Sequence, residues 1–559
     1  TAFYYVPSTT SAAGSAVGYN NTVNYGAFGA SDISSYFATT FSGTIANLNL
    51  TMQNDSRLFL ASKVKMNLSD TNISSVPGGP TITGSNYKNF MLYLSEVKVD
   101  NAVDLDNATD LYNTLEISNS SIINQNKISG NDDGRVAMAQ ENKTVSKPAV
   151  TLMNDTAGTI ELNGKNALAI YAKYGNVVNR GQITLTGKDS TGLYGVENSK
   201  VINESTGKIT LDGESGAAMY YTNTSATKLT SEIMQNDGTI DGESDSSIGM
   251  IYDAGKLDAS VSSGTATLVK NTGTISLTGD KNVAMYATKM SGTTPQYTVE
   301  NNGIITMENS TSLLNPNVAM YSDSPEHILK NSNLGKITTG KNTIAIYGYG
   351  AENIGNIKIG NAGIGIYSQN GDVKLTGGKI TTGTDEAVGV YTVGTGQDIS
   401  NTGTAFDIGD NSFGFVNVGN NNKITSSVAN VGLKNKNVYV YSNDINGFVI
   451  NSTNITSTGE QNYGLYSAGT VDNYGNIDLS SGKGSVAIYS IKGGTAINHE
   501  HAVINVGASD VVNKLYSIGM GAGYETTDTG NVINKGTINV NGKSSIAMYA
   551  SGTGSTAKN

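Results

Sequence analysis

Asn271-Thr-Gly-Thr-Ile-Ser-Leu-Thr-Gly279 leads to Val283-Ala-Met-Tyr286, and Asn534-Lys-Gly-Thr-Ile-Asn-Val-Asn-Gly542 leads to Ile546-Ala-Met-Tyr549. These are one unit written twice. The same unit ends at Tyr171, Tyr194, Tyr220, Tyr252, Tyr286, Tyr321, Tyr347, Tyr367, Tyr391, Tyr466, Tyr489, Tyr516 and Tyr549, with degenerate copies at Phe413-Gly-Phe415 and Tyr439-Val-Tyr441. The mean spacing is 27 residues, and individual spacings run from 20 to 35. A constant core with a variable period is what stacked coils with loop insertions produce, because an insertion at a turn leaves the stacking undisturbed.

The chemistry between the tyrosines agrees. Gly181, Gly273, Gly303, Gly475 and Gly536 each follow an Asn by two residues, and both residue types tolerate the positive φ expected of a corner. Asn above Asn in successive coils predicts an amide ladder. Runs such as Ile183-Thr-Leu185, Ile477-Asp-Leu479 and Ile538-Asn-Val540 alternate with the period of a strand that has one buried face. No stretch carries a capped 3.6-residue period, and each unit has room for about three short strands, fewer than a propeller blade requires. The fold class is therefore all-β, a right-handed parallel β-helix (β-solenoid) with irregular coils, a cap at the N-terminal end and loop insertions.

In the last strand of the unit, the positions one and three before Tyr are mostly aliphatic or Met, as in Leu168 and Ile170 or Val486 and Ile488. These are expected to point inward. The position two before Tyr is usually Ala or Gly, and once Lys514. A lysine there predicts that this small-residue column shares an outward face with a tyrosine ladder made of Tyr171, Tyr194, Tyr220, Tyr286, Tyr321, Tyr347, Tyr367, Tyr391, Tyr466, Tyr489 and Tyr549, stacked at roughly 4.8 Å.

The domain organisation follows. Residues 1–130 lack the clean unit and are expected to form an irregular, β-rich cap or tip; residues 131–559 form the coils. The first segment is rich in aromatic residues, and Tyr4, Tyr5, Tyr19, Tyr25, Phe28, Tyr36 and Phe37 are the candidate partner-binding residues of a tip. The same residues serve equally to cover the open end of a solenoid. Insertions at about 221–232, 253–268, 287–298, 309–316, 322–330 and 517–530 are expected as surface loops. Thr1 opens without a signal peptide, and Ser551–Asn559 follow the unit without a cap, which suggests a piece of a longer chain.

Composition narrows the function. The 559 residues include 67 Gly and 30 Tyr, no Cys and no Trp, and only 14% are charged. A net charge of −11 argues against nucleic acid as a partner, since phosphate binding needs clustered Lys and Arg. The absence of Cys excludes a disulfide framework and fits export. No apolar run is long enough for a transmembrane helix. His499-Glu500-His501 would place two imidazoles on one face of a strand, but no further ligand accompanies them, so no metal is expected. Asp132-Asp133 and Asp241 to Asp245 resemble the paired carboxylates of a polysaccharide-cleaving β-helix, although nothing places them across a groove. Cofactor motifs are missing, and no catalytic residue is assigned.

The unit Asn-x-Gly-x-Ile-x-Leu/Val-x-Gly followed by Ala-Met/Ile-Tyr, over 154–550, resembles the passenger domains of large fusobacterial autotransporter adhesins, the RadD-like class. The resemblance implies type V secretion, a monomeric rod on the bacterial cell surface, and adhesion to a host receptor, host glycans or other bacteria. It carries over no binding residue, because the matching positions are scaffold positions. A passive stalk holding a distal head is the first alternative, and a polysaccharide-cleaving enzyme the second.

Overall fold

Short alternating runs rich in Val, Ile, Thr and Tyr are separated by Gly, Asn and Ser, which leaves no segment long enough for a helix nucleus and favours pleated, half-buried strands. A computed structural model describes residues 121–125, 127–141, 150–197, 199–223, 233–253, 267–288 and 297–559, together with short strands between Phe3 and Ile117. Among the described residues there is no helix. The strands build a right-handed parallel β-helix in which each coil contributes one strand to each of three parallel sheets.

The chain forms two compact units, residues 1–277 with 288–295 and residues 278–287 with 296–559. In the first, a representative coil has a first strand Gly175–Asn179, a second Gln182–Leu185 and a third Thr191–Val196. The next coil lies directly on it, with Asn179 opposite Asn203, Ile183 opposite Ile209 and Tyr194 opposite Tyr220. The coil register begins upstream of the clean motif. Glu96–Val99 pairs with Ser121–Asn124, Val103–Asp104 with Lys127–Gly130, and Leu115–Ile117 with Val136–Glu141. In the second unit, Thr470–Asn473, Ile477–Leu479 and Val486–Ser490 make one coil, stacked in parallel on Thr495–Asn498, Val503–Val506 and Ile518–Ala522.

The corner after the first strand is held by an amide ladder. Asn124, Asn154, Asn179, Asn203, Asn236 and Asn271 of the first unit are fully buried, and each donates from Nδ2 to Oδ1 of the next at 2.7–2.9 Å. In the second unit Asn301, Asn331 and Asn353 form one run, and Asn451, Asn473, Asn498, Asn534 and Asn559 another, at 2.8–2.9 Å. The Nδ2 groups also reach backbone carbonyls of the corner, as from Asn473 to Gly475 at 2.8 Å. Buried amides are affordable only when satisfied in this way.

The glycines of these corners have a different role from the expected one. None of Gly181, Gly273, Gly475 and Gly536 adopts positive φ. Each is required because a Cβ would meet a carbonyl oxygen of the preceding coil, at 2.1 Å for Gly181 and 2.2 Å for Gly475. Positive φ falls instead at the corner before the third strand, and non-glycine residues occupy it, among them Asn166, Asp189, Ser215, Asn342, Ala362, Asn411, Lys436 and Gln461. Their backbone N–H groups donate to carbonyls of the following coil, as from Lys436 to Glu460 at 2.8 Å and from Gln461 to Lys483 at 2.8 Å. That bond offsets a left-handed residue's cost of about 1–2 kcal/mol.

The third strand also departs from strict alternation. The small-residue column points inward: Ala169, Ala218, Ala284, Ala319 and Ala345 are fully buried, and so are Ile170, Met219, Met285 and Ile346 immediately after them. The position three before Tyr is the half-buried one in several coils, as at Leu168 and Val283. Two successive inward residues mean that the strand bends, and only a small side chain fits the inner side of the bend. A Cβ on Gly389 would meet the Phe406 ring at 2.4 Å, and one on Gly414 the Tyr439 ring at 2.9 Å. Lys514, the basis of the outward assignment, is not in this column; it lies in the turn before Ile518–Ala522 with φ of 58°.

Tyr439 itself occupies the small column and is fully buried, with its ring 5.6 Å from Phe415 and 6.2 Å from Phe406. Its hydroxyl lies 2.7 Å from the Ser426 hydroxyl. Ser426 stands where neighbouring coils carry the ladder residues Asn401 and Asn451. The two exceptions to the repeat thus compensate each other: a buried phenol needs a partner, and the ladder position supplies it.

Candidate functional site

Paired in register, the tyrosines form columns. In the first unit Tyr171, Tyr194 and Tyr220 are neighbours, with ring centroids 5.5 and 4.8 Å apart. In the second, Tyr286, Tyr321, Tyr347, Tyr367 and Tyr391 follow one another at 5.0, 5.1, 4.7 and 5.3 Å. Val416 interrupts the column, which resumes as Tyr441, Tyr466 and Tyr489 at 5.3 Å. The rings are half-buried. Burial, the largest influence, raises the ionisation of the Tyr194, Tyr220, Tyr321, Tyr367 and Tyr466 phenols above the ordinary range and pushes Tyr489 up to about 12.

Two tyrosines counted with the repeat do not belong to the ladder. Ile251 takes the ladder position of its coil, and Tyr252 turns inward, fully buried and stacked on Tyr221 at 5.7 Å. Gly521 pairs with both Tyr489 and Tyr549, while Tyr516 lies before the strand. The gap at Gly521 is filled from below, since a Cβ there would meet the Tyr489 ring at 2.4 Å. Tyr549 is 42% exposed.

The ladder uses up its own binding capacity. Stacked rings spend their faces on each other, and several hydroxyls are engaged: Tyr220 donates to Asp253 at 3.0 Å, Tyr286 to Asp323 at 3.2 Å and Tyr489 to the Gly523 carbonyl at 2.8 Å. Of the tip aromatics, Tyr5, Tyr19, Tyr25, Phe28, Tyr36 and Phe37 lie outside the described residues, and of Tyr4 only the backbone, in the strand Phe3–Tyr4, is described.

Among the acidic candidates, Asp132, Asp133 and Asp241 have separate local partners. Asp132 pairs with Arg135, and Asp133 accepts the Lys165 amide at 2.8 Å. Asp241 pairs with Lys208 at 2.9 Å and accepts the Thr210 hydroxyl at 2.7 Å. His499-Glu500-His501 is a turn, not a strand: His501 has φ of 71° and the flanking strands are Thr495–Asn498 and Val503–Val506. Among the described residues no group of three or more His, Asp or Glu is placed to hold a metal ion.

Of the insertions, 224–232, 254–266 and 289–296 lie outside the described residues. The segment 309–316 presents Leu314 at 90% exposure. The expected loop 517–530 contains a core strand, Ile518–Ala522, and two loops flank it. The first is closed by Asp510 and Leu515 and carries the exposed Val511 and Val512; the second is closed by Tyr524 and Asp528.

Sequence reasoning missed one cluster. On the outward face of the first sheet in the second unit, Phe448 is 47% and Tyr474 52% exposed. The Tyr474 ring lies parallel to the His499 ring, with centroids 4.2 Å apart and an interplanar angle of 10°. His499 Nε2 is 2.8 Å from Asp472 Oδ1. An aromatic residue directly after the ladder Asn was the available signal, because other coils place Arg180, Glu204, Thr272 or Ser452 there.

Regular coils, a stacked exterior and length-tolerant loops define a β-helical scaffold protein. The family model of the BigA third pectate lyase-like domain matches residues 15–331 and again 327–559, and the chain belongs to that family. No curated protein and no solved structure matches it.

Proposed function

We propose that this chain is a passenger segment of a bacterial cell-surface adhesin, of the type V-secreted, fusobacterial RadD-like class, and that it binds a host receptor, a host glycan or another bacterium without cleaving it. The observation that carries this reading is the coil stack itself. Three continuous parallel sheets in each unit keep a rigid exterior while loops of different length project from the corners, and rigid scaffolds with variable loops are where binding is placed. Membership of a BigA-type family supports a surface or secreted bacterial location. No helix among the described residues is long and apolar enough to cross a membrane. Asp132 and Asp241, two of the carboxylates that could suggest cleavage, are paired separately with Arg135 and Lys208, which favours binding over hydrolysis.

The test is binding of the purified 559-residue chain to host cells and to partner bacteria, with a variant carrying Tyr19→Ser, Tyr25→Ser and Tyr36→Ser as the probe of the tip. Saturable binding is expected, and its loss in the variant would place the contact in the N-terminal aromatics. A chain that binds no cell is a stalk. Release of reducing or unsaturated ends from polysaccharides would make it an enzyme.

A further inference from the structure

We propose that the outward face of the first sheet between Phe448 and Tyr474 is a binding platform for neutral pyranose oligosaccharides. The proposal rests on the adhesin reading and names the ligand class of one surface within it.

The platform is built from consecutive coils. Phe448 opens the first strand Phe448–Asn451, and Thr470, opposite it, opens Thr470–Asn473. Tyr474 follows that strand four residues beyond Thr470, so the two aromatic rings bracket the face at roughly 13 Å. Ile450 and Asp472 occupy paired outward positions between them. The span suits two to three sugar rings.

Tyr474 differs from the ladder tyrosines in two respects. Its ring is stacked on one side only, on His499; the corresponding corner residue of the preceding coil is the exposed Ser452, too short to cover the other side. The His499–Asp472 hydrogen bond fixes the imidazole under the ring, so little freedom is lost on binding. Polar groups are open around it: the Tyr474 hydroxyl makes no hydrogen bond within the described residues, and neither do Asp472 Oδ2, His499 Nδ1 or the Thr470 hydroxyl.

Together these groups match a pyranose. Its apolar C–H face fits against an open aromatic ring, and its hydroxyls both donate and accept. Asp472 Oδ2 can take hydroxyl protons, whereas covering a carboxylate with an apolar partner would strand a charge. Asp472 at the centre and Glu500 beside His499 disfavour carboxylated or sulfated sugars at the Tyr474 end, and Lys423, in register with Phe448, balances one of the two charges, which makes the neutral class the fitting one.

The experiment uses the full chain with cellotetraose, chitotetraose, lacto-N-tetraose and mannotetraose as neutral probes and sialyllactose as the anionic one, followed by saturation-transfer NMR and calorimetry. At least one neutral probe is expected to bind, with affinity falling about tenfold or more in Tyr474→Ala and in Asp472→Ala. Tyr474→Phe, which keeps the ring, should retain most of it, and Tyr347→Ser should leave it unchanged. Circular dichroism checks each variant's fold. Failure of all four neutral probes to bind, equal binding by the Phe448→Ala, Tyr474→Ala double variant, or tighter binding of sialyllactose would overturn the proposal. The same double variant in the cell-binding assay separates the two readings. A chain that binds cells undiminished in the double variant and binds none of the neutral saccharides removes the platform and leaves the adhesin; a chain that binds no cell yet loses saccharide with Tyr474 removes the adhesin and leaves the platform.

Discussion

Replacing Asn473 by Ala removes one rung from the buried amide ladder. Its Nδ2 donates to Asn498 Oδ1 at 2.8 Å and to the Gly475 carbonyl at 2.8 Å, and its Oδ1 accepts from Asn451 Nδ2 at 2.8 Å. The substitution leaves Asn498 Oδ1, the Gly475 carbonyl and an N–H of Asn451 without these partners, in a site with no solvent exposure. Each stranded buried group costs about 1–3 kcal/mol, and partial relaxation brings the expected total to about 3–5 kcal/mol. Because each coil contacts only its neighbours, the loss is local. The sensitive assay is hydrogen exchange at the Tyr474 and Gly475 amides, which donate to the Asn451 carbonyl at 2.7 and 3.2 Å. Protection there is expected to fall by about a hundredfold or more, at about 1.4 kcal/mol per tenfold, with urea unfolding by circular dichroism as the global check. The ladder already contains a comparison: Asn353 is followed by Leu375, and there Nδ2 turns to the Gly355 and Gly377 carbonyls at 3.1 and 3.4 Å. Asn473→Leu fills the volume and should cost less than Asn473→Ala. Unchanged exchange, or a loss below about 1 kcal/mol, would refute the assignment of corner stability to the amide column.

Gly475→Ala places a methyl 2.2 Å from the Thr453 carbonyl oxygen and is expected to destabilise by about 1–3 kcal/mol, measured by urea unfolding. Tyr439→Phe removes the hydroxyl held by Ser426 at 2.7 Å and should cost about 1 kcal/mol in the same assay, with Ser426 still bonded to Thr453. Replacing Tyr286, Tyr321 and Tyr347 together by Ser should lose about 0.5–1.5 kcal/mol per ring pair, while cell binding persists; loss of binding with the coils intact would make the ladder a recognition surface. The phenols ionise later in the folded chain than in the unfolded one. Their contribution is therefore complete below the unfolded value of about 10 and lost as pH rises through the folded value, about 12 for Tyr489. Alkaline unfolding should set in across that window, and a spectrophotometric titration showing phenols ionising at the free-tyrosine value in the folded state would contradict it.

The asparagine column shows how much of the fold was legible in the sequence. Asn-x-Gly followed by an Ile-x-Leu run and a Tyr recurs often enough to announce coils, and any stack of such coils must set Asn on Asn. The reason assigned to the glycines was wrong, because close approach between coils is a property of the stack and leaves no trace in one coil's composition. Tyr252 was misplaced for a related cause: a one-residue shift of register exchanges the inside of a strand for its outside, and only the pairing with Tyr221 reveals it. Tyr516 lies before the strand Ile518–Ala522, where the pairing gives the ladder position to Gly521.

The Phe448–Tyr474 platform was legible only as an aromatic out of place after a ladder Asn. Its partners, Asp472 and His499, come from successive coils and meet through parallel register. The sequence by itself determined the repeat and the parallel β-helix, since periodicity is a local property of a chain. Which residues face solvent, which aromatic rings keep an open face and which buried polar groups satisfy one another were decided by the tertiary structure, because those contacts join residues about a coil's length apart and depend on register and on the bend in the third strand.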